Sequence, residues 1–411
     1  MYIKSASMTK FGTSLKSAHE LAYEAVVSAL QKAEMKIKEI DLIVSGYIDF
    51  TRTGERNRHF SAMLSSMLKT NVPIICTPNA CCSGGVALFT ANKIGNNADR
   101  GIAVNDNVAD KMVSEKNKCS DVNNILVVGA EKLTSTSNAA ITDEILMGAD
   151  MIWEQSEGLI FPAQNALLAQ QHMLKYGTTQ EDLALIALKN HNNANLNPNA
   201  RFFEKKLNKD DFKSDAKNPM IASPLKLLDC SVNVDGAAAA ILTNDKTDIE
   251  IIGSAFATDA LPLFERESLT NFKATRIAAE KAYNEAGITS AEVNFAELHD
   301  AFTITELVSY EDLGFCAEGK GGEFIRSSAA NLYGKLPINT SGGLKAKGHP
   351  LSATGVSQIV EIVEQFREEA GINNMRNIQN FSDNKMKYAI AQNIGGAGGS
   401  VTVHVLKNNK K

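Results

Sequence analysis

No run in this 411-residue chain approaches the ~20 consecutive apolar residues that a membrane-spanning helix needs. The opening Met1-Tyr2-Ile3-Lys4-Ser5 also lacks the apolar stretch of a secretory signal. Basic stripes are missing. The formal charge is −5 and the positive residues are scattered among acids, which argues against nucleic acid as a partner. Six cysteines, at 76, 81, 82, 119, 230 and 316, are too few for a disulfide framework in so long a chain. They form no CxxC pair, and none stands at zinc-ligand spacing from a histidine, so no metal site is read. Reduced thiols in the cytoplasm are the simplest consequence. No GxxxxGK[ST] occurs, so nucleotide hydrolysis finds no support.

What is present is ordinary for a globular protein: 44% hydrophobic and 22% charged residues. The length exceeds the ~250–300 residues at which a single core stops growing, so two or more domains are expected. Short β-branched runs alternate with helical patterns, the mark of α/β layers. Residues 42–44, 74–75, 125–128, 249–252 and 388–391 read as strands. Residues 17–34 and 274–286 read as amphipathic helices, with Ala, Val and Leu at three- and four-residue steps.

An internal repeat organises these elements. Residues 33–46, AEMKIKEIDLIVSG, align without gaps on residues 286–299, AGITSAEVNFAELH. Each copy is a helix end, a turn and a strand. The second copy delivers His299 where the first has Gly46. Residues 140–224, poor in strand signals and rich in Asn, Gln, Lys and Met, read as an inserted helical and loop region. The expected division is an N-terminal half at 1–245, carrying that insert, and a C-terminal half at 246–411. Residues 96–123, dominated by Asn, Asp and Lys, read as a solvated surface excursion.

Four segments could carry chemistry. Pro78-Asn79-Ala80-Cys81-Cys82-Ser83-Gly84-Gly85 follows a strand and opens a helical stretch at 86–94. A helix N-terminus favours a thiolate by ~0.3–1 kcal/mol, up to ~2 when partly buried, so it could lower a thiol by about one pKa unit. Full activation needs a basic neighbour as well. A structural thiol in a glycine-rich turn would read the same way. Glu297-Leu298-His299-Asp300-Ala301-Phe302 ends a predicted strand, where a histidine can enter a cleft or simply sit in the core. Asn339-Thr340-Ser341-Gly342-Gly343, continuing to Gly348-His349-Pro350, gathers glycines and a histidine ahead of a helix starting near Leu351. Plain turn chemistry is the competing explanation. Gln392-Asn393-Ile394-Gly395-Gly396-Ala397-Gly398-Gly399 follows a strand and could aim backbone N–H groups at an oxyanion, or form a hairpin turn; it contains no GxGxxG.

Taken in this order, the four segments resemble the thiolase superfamily, with the likeness falling nearest to archaeal acetyl-CoA acetyltransferases and sterol-carrier-protein-type thiolases. Val128-Gly129-Ala130-Glu131-Lys132, Lys189-Asn190-His191, Asp229-Cys230-Ser231 and Asp235-Gly236-Ala237-Ala238 continue it. The resemblance implies a thiolase fold: two duplicated βαβαβαββ halves in five α-β-α-β-α layers, with an inserted loop domain. It implies Cys81 as nucleophile, His349 as the base that deprotonates it, and His299 as an oxyanion donor to the thioester of the second substrate. The backbone N–H groups of Cys81 and Gly395 would form the other oxyanion hole, and Ala301 and Phe302 would line the pantetheine tunnel.

The implied reaction is the reversible Claisen condensation of two acetyl-CoA to acetoacetyl-CoA and CoA through acetyl-Cys81, with no cofactor beyond the CoA thioesters. Homodimers or homotetramers are implied, and as partners a small OB-fold, zinc-ribbon protein and hydroxymethylglutaryl-CoA synthase. The second cysteine of many thiolases is missing, its positions held by Asn393 and Ala301. The acid/base for the α-carbon proton is then His349 again, Cys316, or a water held by His299. Rival readings are a hydroxymethylglutaryl-CoA synthase, which would need a carboxylate such as Glu297 or Glu306 at the nucleophile, a ketoacyl synthase, and a non-catalytic acyl-CoA or lipid-binding homologue.

Overall fold

The computed structural model describes residues 1–48, 55, 59–98, 122–375 and 386–410. Most of the excursion at 96–123 therefore lies outside the described residues. The chain opens with β1 (Tyr2–Met8), α1 (Ala18–Lys32), β2 (Leu42–Gly46), α2 (Phe60–Leu68), β3 (Ile74–Cys76), α3 (Ser83–Ala98) and β4 (Asn124–Glu131). A long excursion carries α4 (Asn138–Leu146), α5 (Phe161–Tyr176), α6 (Gln180–Leu196), β5 (Met220–Ala222) and β6 (Leu225–Lys226) before β7 (Gly236–Thr243). Then come β8 (Ile249–Thr258), α7 (Lys273–Ala286), β9 (Phe295–Glu297), α8 (Thr303–Asp312), α9 (Gly321–Arg326), α10 (Gly343–Ala346), α11 (Thr354–Arg367), β10 (Tyr388–Gly395) and β11 (Ser400–Asn408).

The strand order shows the duplication. The first half runs β3-β2-β4-β7-β1, with β2 parallel to β3 and β4, and β7 antiparallel to β4 and β1. In the second half β11 is antiparallel to β8 and β10, and β10 is parallel to β9. Ala296 of β9 bridges in parallel to Ile338, which stands where β3 stands in the first half. The two sheets join through the pair Tyr2–Glu250.

The sequence repeat is matched bond for bond. In the first copy a 3₁₀ turn at Ile37–Glu39 follows α1; in the second, one at Ser290–Glu292 follows α7. Glu39 accepts the Lys36 N–H and Glu292 the Thr289 N–H, so each carboxylate closes its turn. Asp41 Oδ2 accepts the N–H groups of Asn123 and Asn124, and Asn294 Oδ1 accepts those of Lys387 and Tyr388. Each side chain thus pins its strand to the start of the next strand in the sheet.

Side-chain alternation buries both faces of both sheets. Leu126, Val128, Ala237, Ala239 and Ile241 pack under α1 and α2. Ile125, Val127, Ala238, Ala240 and Leu242 face α3 and α11, and so do Ala389, Ala391 and Leu406 from the second sheet. Ile390, Val401, Val403 and Val405 lie under α7 and α8. The result is five layers: helices, sheet, the central pair α3 and α11, sheet, helices.

The central helices are equivalent elements of the two halves, and their N-termini touch. A Cβ on Gly84 would lie 2.6 Å from the Ser352 carbonyl oxygen, and one on Gly355 would lie 2.2 Å from the Gly85 nitrogen. Both distances are far inside van der Waals contact, so only glycine permits the approach. Gly46 serves the same junction, since a Cβ there would meet the Ser83 backbone at 2.6 Å.

Candidate active site

The segments before these two helix starts are those singled out from the sequence. Before α3, the Cys82 N–H donates to Asn79 O at 2.9 Å and the Ser83 N–H to Ala80 O at 3.1 Å. Ala80 holds a positive φ of 46°, a conformation costly for a residue with a Cβ. This tight turn presents Cys81 at the floor of a pocket of about 130 Å³. Beside Cys81 the pocket is lined by His299, His349, Ala301 and Phe302. Five of the six predicted site residues therefore meet at one place.

The sixth does not. Gly395 is absent from the pocket wall and Gly396 takes its place. Gly395 is paired with Ser400 in the β10–β11 ladder and wedged against Asn79 O, where a Cβ would lie 2.9 Å away. Gly396 turns into the left-handed region, φ 61°, on the pocket wall shared with Cys81.

His299 follows β9, in a loop tied from beneath. Asn339 Oδ1 accepts the Leu298 N–H at 2.7 Å, and Gln392 Oε1 accepts the His299 N–H at 3.2 Å. Asp300 accepts the N–H groups of Leu344 and Lys345 at the start of α10, at 2.6 and 3.1 Å. The segment Asn339–Gly343 thus works as a foundation for the His299 loop. Lys189 and Asn190 belong to it too: Lys189 pairs with Glu306 at 2.8 Å, and Asn190 bridges Asp300 and Glu306.

His349 is held by a strap to which the sequence pattern assigned no task. The His349 N–H donates to Val232 O at 2.9 Å, the Ser231 N–H to Ala301 O at 2.7 Å, and Cys230 bridges Phe302. Residues 230–233 therefore lace the two histidine loops together, and Cys230, Ser231 and Asn233 join the pocket wall. A run of small and polar residues just after the insert was the available signal. Thr142, Ile145, Phe161, Pro162 and Leu351 complete the wall and were not anticipated; the first four come from the insert. Cys316, a candidate acid/base, is not part of it; its N–H reaches Tyr310 O beneath α8.

The helix terminus is not the only influence on the Cys81 thiol. Burial pushes it up to about 12, the Gly396 backbone opposes this only partly, and the Glu131 carboxyl adds to the rise. Cys81 also stands two residues ahead of α3, and the dipole acts only within the first turn. Burial likewise pushes His349 down to about 3 and His299 well below the usual range, helped there by His349. The ring centres lie 5.2 Å apart at 87°. These pKa directions favour a neutral thiol facing two neutral imidazoles.

Carboxylates are kept away. Glu306 is committed to Lys189, Asn190, Asn339 and Tyr310, and Glu297 to Thr340 and Ser341. Neither lines the pocket, and no other Asp or Glu does so among the described residues. A thiol and two imidazoles can form an acyl thioester, stabilise an enolate and move protons.

Two repeated halves sandwiching paired helices, with a thiol at one helix start and an imidazole ahead of the other, define the thiolase-fold class. The comparisons agree. Residues 255–408 match the family model "Thiolase C-terminal domain-like". The acetyl-CoA acetyltransferase of Methanothermobacter thermautotrophicus is 33% identical over 97% of this chain and 97% of its own length. That of Methanocaldococcus jannaschii is 34% identical over 98% and 97%. Among solved structures, an Ltp2–ChsH2(DUF35) aldolase superposes with a TM-score of 0.77 at 21% identity, covering 100% of this chain and 98% of that one. The chain belongs to the thiolase family. No helix among the described residues is long and apolar enough to cross a membrane.

Proposed function

We propose that the protein is an acetyl-CoA C-acetyltransferase, condensing two acetyl-CoA to acetoacetyl-CoA and CoA and running the reaction in reverse. The supporting observation is the pocket itself: Cys81, His299 and His349 converge in it, and no carboxylate lines it among the described residues. A hydroxymethylglutaryl-CoA synthase would need an acid there; Glu297 and Glu306 are spent on structural bonds. The relatives at 33–34% identity carry the same activity in their names.

His349 takes the Cys81 proton as the sulfur attacks the thioester carbonyl, and the tetrahedral oxyanion accepts from backbone N–H groups at Cys81 and Gly395. The same imidazole returns the proton to the departing CoA sulfur, leaving acetyl-Cys81. A second acetyl-CoA then loses an α-proton, His299 donates to its enolate oxygen, and the α-carbon attacks the acetyl carbonyl. The expelled Cys81 sulfur takes the proton back. The thioester supplies both leaving group and α-acidity, so the reading calls for no metal or further cofactor. Ala301 and Phe302 flank the approach of the pantetheine arm. A homo-oligomer in the cytoplasm is part of the proposal, as are a zinc-ribbon, OB-fold partner and hydroxymethylglutaryl-CoA synthase.

The test is to mix the protein with acetyl-CoA and map the modification by mass spectrometry, then supply acetoacetyl-CoA with CoA. Acetylation confined to Cys81 and cleavage to acetyl-CoA are expected. A protein that binds CoA thioesters but does neither would be a non-catalytic homologue, and the proposal would fall.

A further inference from the structure

Asn393 stands where many thiolases have a second cysteine, and its amide is oriented from both ends. The Gly85 N–H donates to Asn393 Oδ1 at 3.2 Å. Flipping the amide would set an NH₂ group against that N–H, so Nδ2 is the atom that faces His299 Nδ1 at 3.1 Å. An amide NH₂ only donates, so His299 Nδ1 must accept, and the ring proton sits on Nε2. The surrounding glycines are shaped for this side chain: a Cβ on Gly355 would come within 2.5 Å of Asn393 Oδ1, and one on Gly85 within 3.0 Å.

His349 is oriented the opposite way. The Thr354 hydroxyl lies 2.8 Å from His349 Nδ1 and 3.4 Å from Pro350 O. With its one proton given to the carbonyl, the oxygen accepts from the ring and His349 carries its proton on Nδ1. Its Nε2 is buried without a protein partner, a bare lone pair.

We propose that Asn393 is a positioning residue that locks His299 as the Nε2-protonated tautomer, so that His299 only donates and His349 is the single base of the whole cycle. This deepens the thiolase reading and rests on it. Proton accounting closes with one base. His349 Nε2 takes the thiol proton of Cys81 and gives it to the leaving CoA thiolate. Neutral again, it takes the α-proton of the second acetyl-CoA as the C–H electron pair becomes the enolate. The new C–C bond forms at the acetyl carbonyl, the C–S bond to Cys81 breaks, and the imidazolium protonates the Cys81 thiolate. Each proton taken is returned, and the missing second cysteine leaves no gap.

The test is nitrogen NMR of protein labelled with ¹⁵N-histidine, together with two half-reactions. Wild-type His299 should show Nε2–H and His349 Nδ1–H. In the Asn393→Asp variant a carboxylate faces His299 Nδ1 and should draw the proton there. Loss of one preorganised oxyanion donor lowers rates about 10²–10³-fold, so condensation should fall by about that factor. Exchange of labelled CoA into acetyl-CoA, which needs only Cys81 and His349, should fall far less. His349→Ala should abolish both CoA exchange and solvent-deuterium exchange into acetyl-CoA. Wild-type His299 protonated on Nδ1, or deuterium exchange surviving in His349→Ala, would overturn the proposal. Absence of CoA exchange in wild type would instead remove the thiolase reading, whatever the tautomers.

Discussion

Asn190 donates to Asp300 Oδ2 at 2.7 Å and so fastens the loop carrying His299 to helix α6. The same amide nitrogen reaches Glu306 Oε2 at 2.6 Å. Asp300 is fully buried, and burial together with Glu306 raises its pKa. One amide thus relieves two crowded acids immediately behind the site.

Asn190→Ala should therefore cost more than an ordinary side-chain truncation. A buried group left unpaired costs about 1–3 kcal/mol, more when charged, and two carboxylates lose a donor here. Urea denaturation should show destabilisation of about 2–4 kcal/mol, and condensation should slow as the His299 loop loosens. Stability within about 0.5 kcal/mol of wild type, with unchanged turnover, would mean the bridge carries no weight.

The repeat was legible in the sequence because Asp41 and Asn294 do the same work, and the short polar residue before each strand survives in both copies. Cys81, His299 and His349 were legible because their motifs are local. The alanine-rich β7, GAAAAILT, was not read as a strand, since alanine favours helix and only two flanking strands make it extended. The pocket walls from α4 and α5, and the strap at 230–233, depend on contacts between residues more than sixty positions apart. The burial that raises the Cys81 thiol was hidden for the same reason: a helix start is visible in sequence, but burial is not.

That ionisation is open to measurement. With the thiol near 12, the thiolate fraction at pH 7 is only about 10⁻⁵, and it rises tenfold per pH unit. Alkylation of Cys81 by iodoacetamide, followed by peptide mass spectrometry, should climb steadily from pH 7 to 10 without a plateau. Lowered to about 3, His349 stays an unprotonated base through pH 5, so kcat/KM should show no acidic limb near the ordinary histidine value. A plateau in alkylation by pH 7 would instead reveal a resting thiolate–imidazolium pair.

Gly355→Ala tests the junction on which the site depends. By helix propensity the change should stabilise α11, since alanine outranks glycine by about 1 kcal/mol. The added Cβ, however, would lie 2.2 Å from the Gly85 nitrogen and 2.5 Å from Asn393 Oδ1. The Gly85 backbone nitrogen cannot yield without parting α3 from α11, and overpacking of this kind costs about 1–3 kcal/mol. The steric term wins, so net destabilisation is expected. Function should suffer more than stability: the displaced atoms include the N–H that orients Asn393, and a shift of about 1 Å can cost about 10² in rate. Gly95→Ala is the contrast within α3, because its Cβ would meet only the movable end of the Met1 side chain. Gly355→Ala should lose activity at least about a hundredfold, while Gly95→Ala stays within a few-fold of wild type. Equal, small effects from the two substitutions would show that the helix starts need not touch for the thiol and imidazoles to work together.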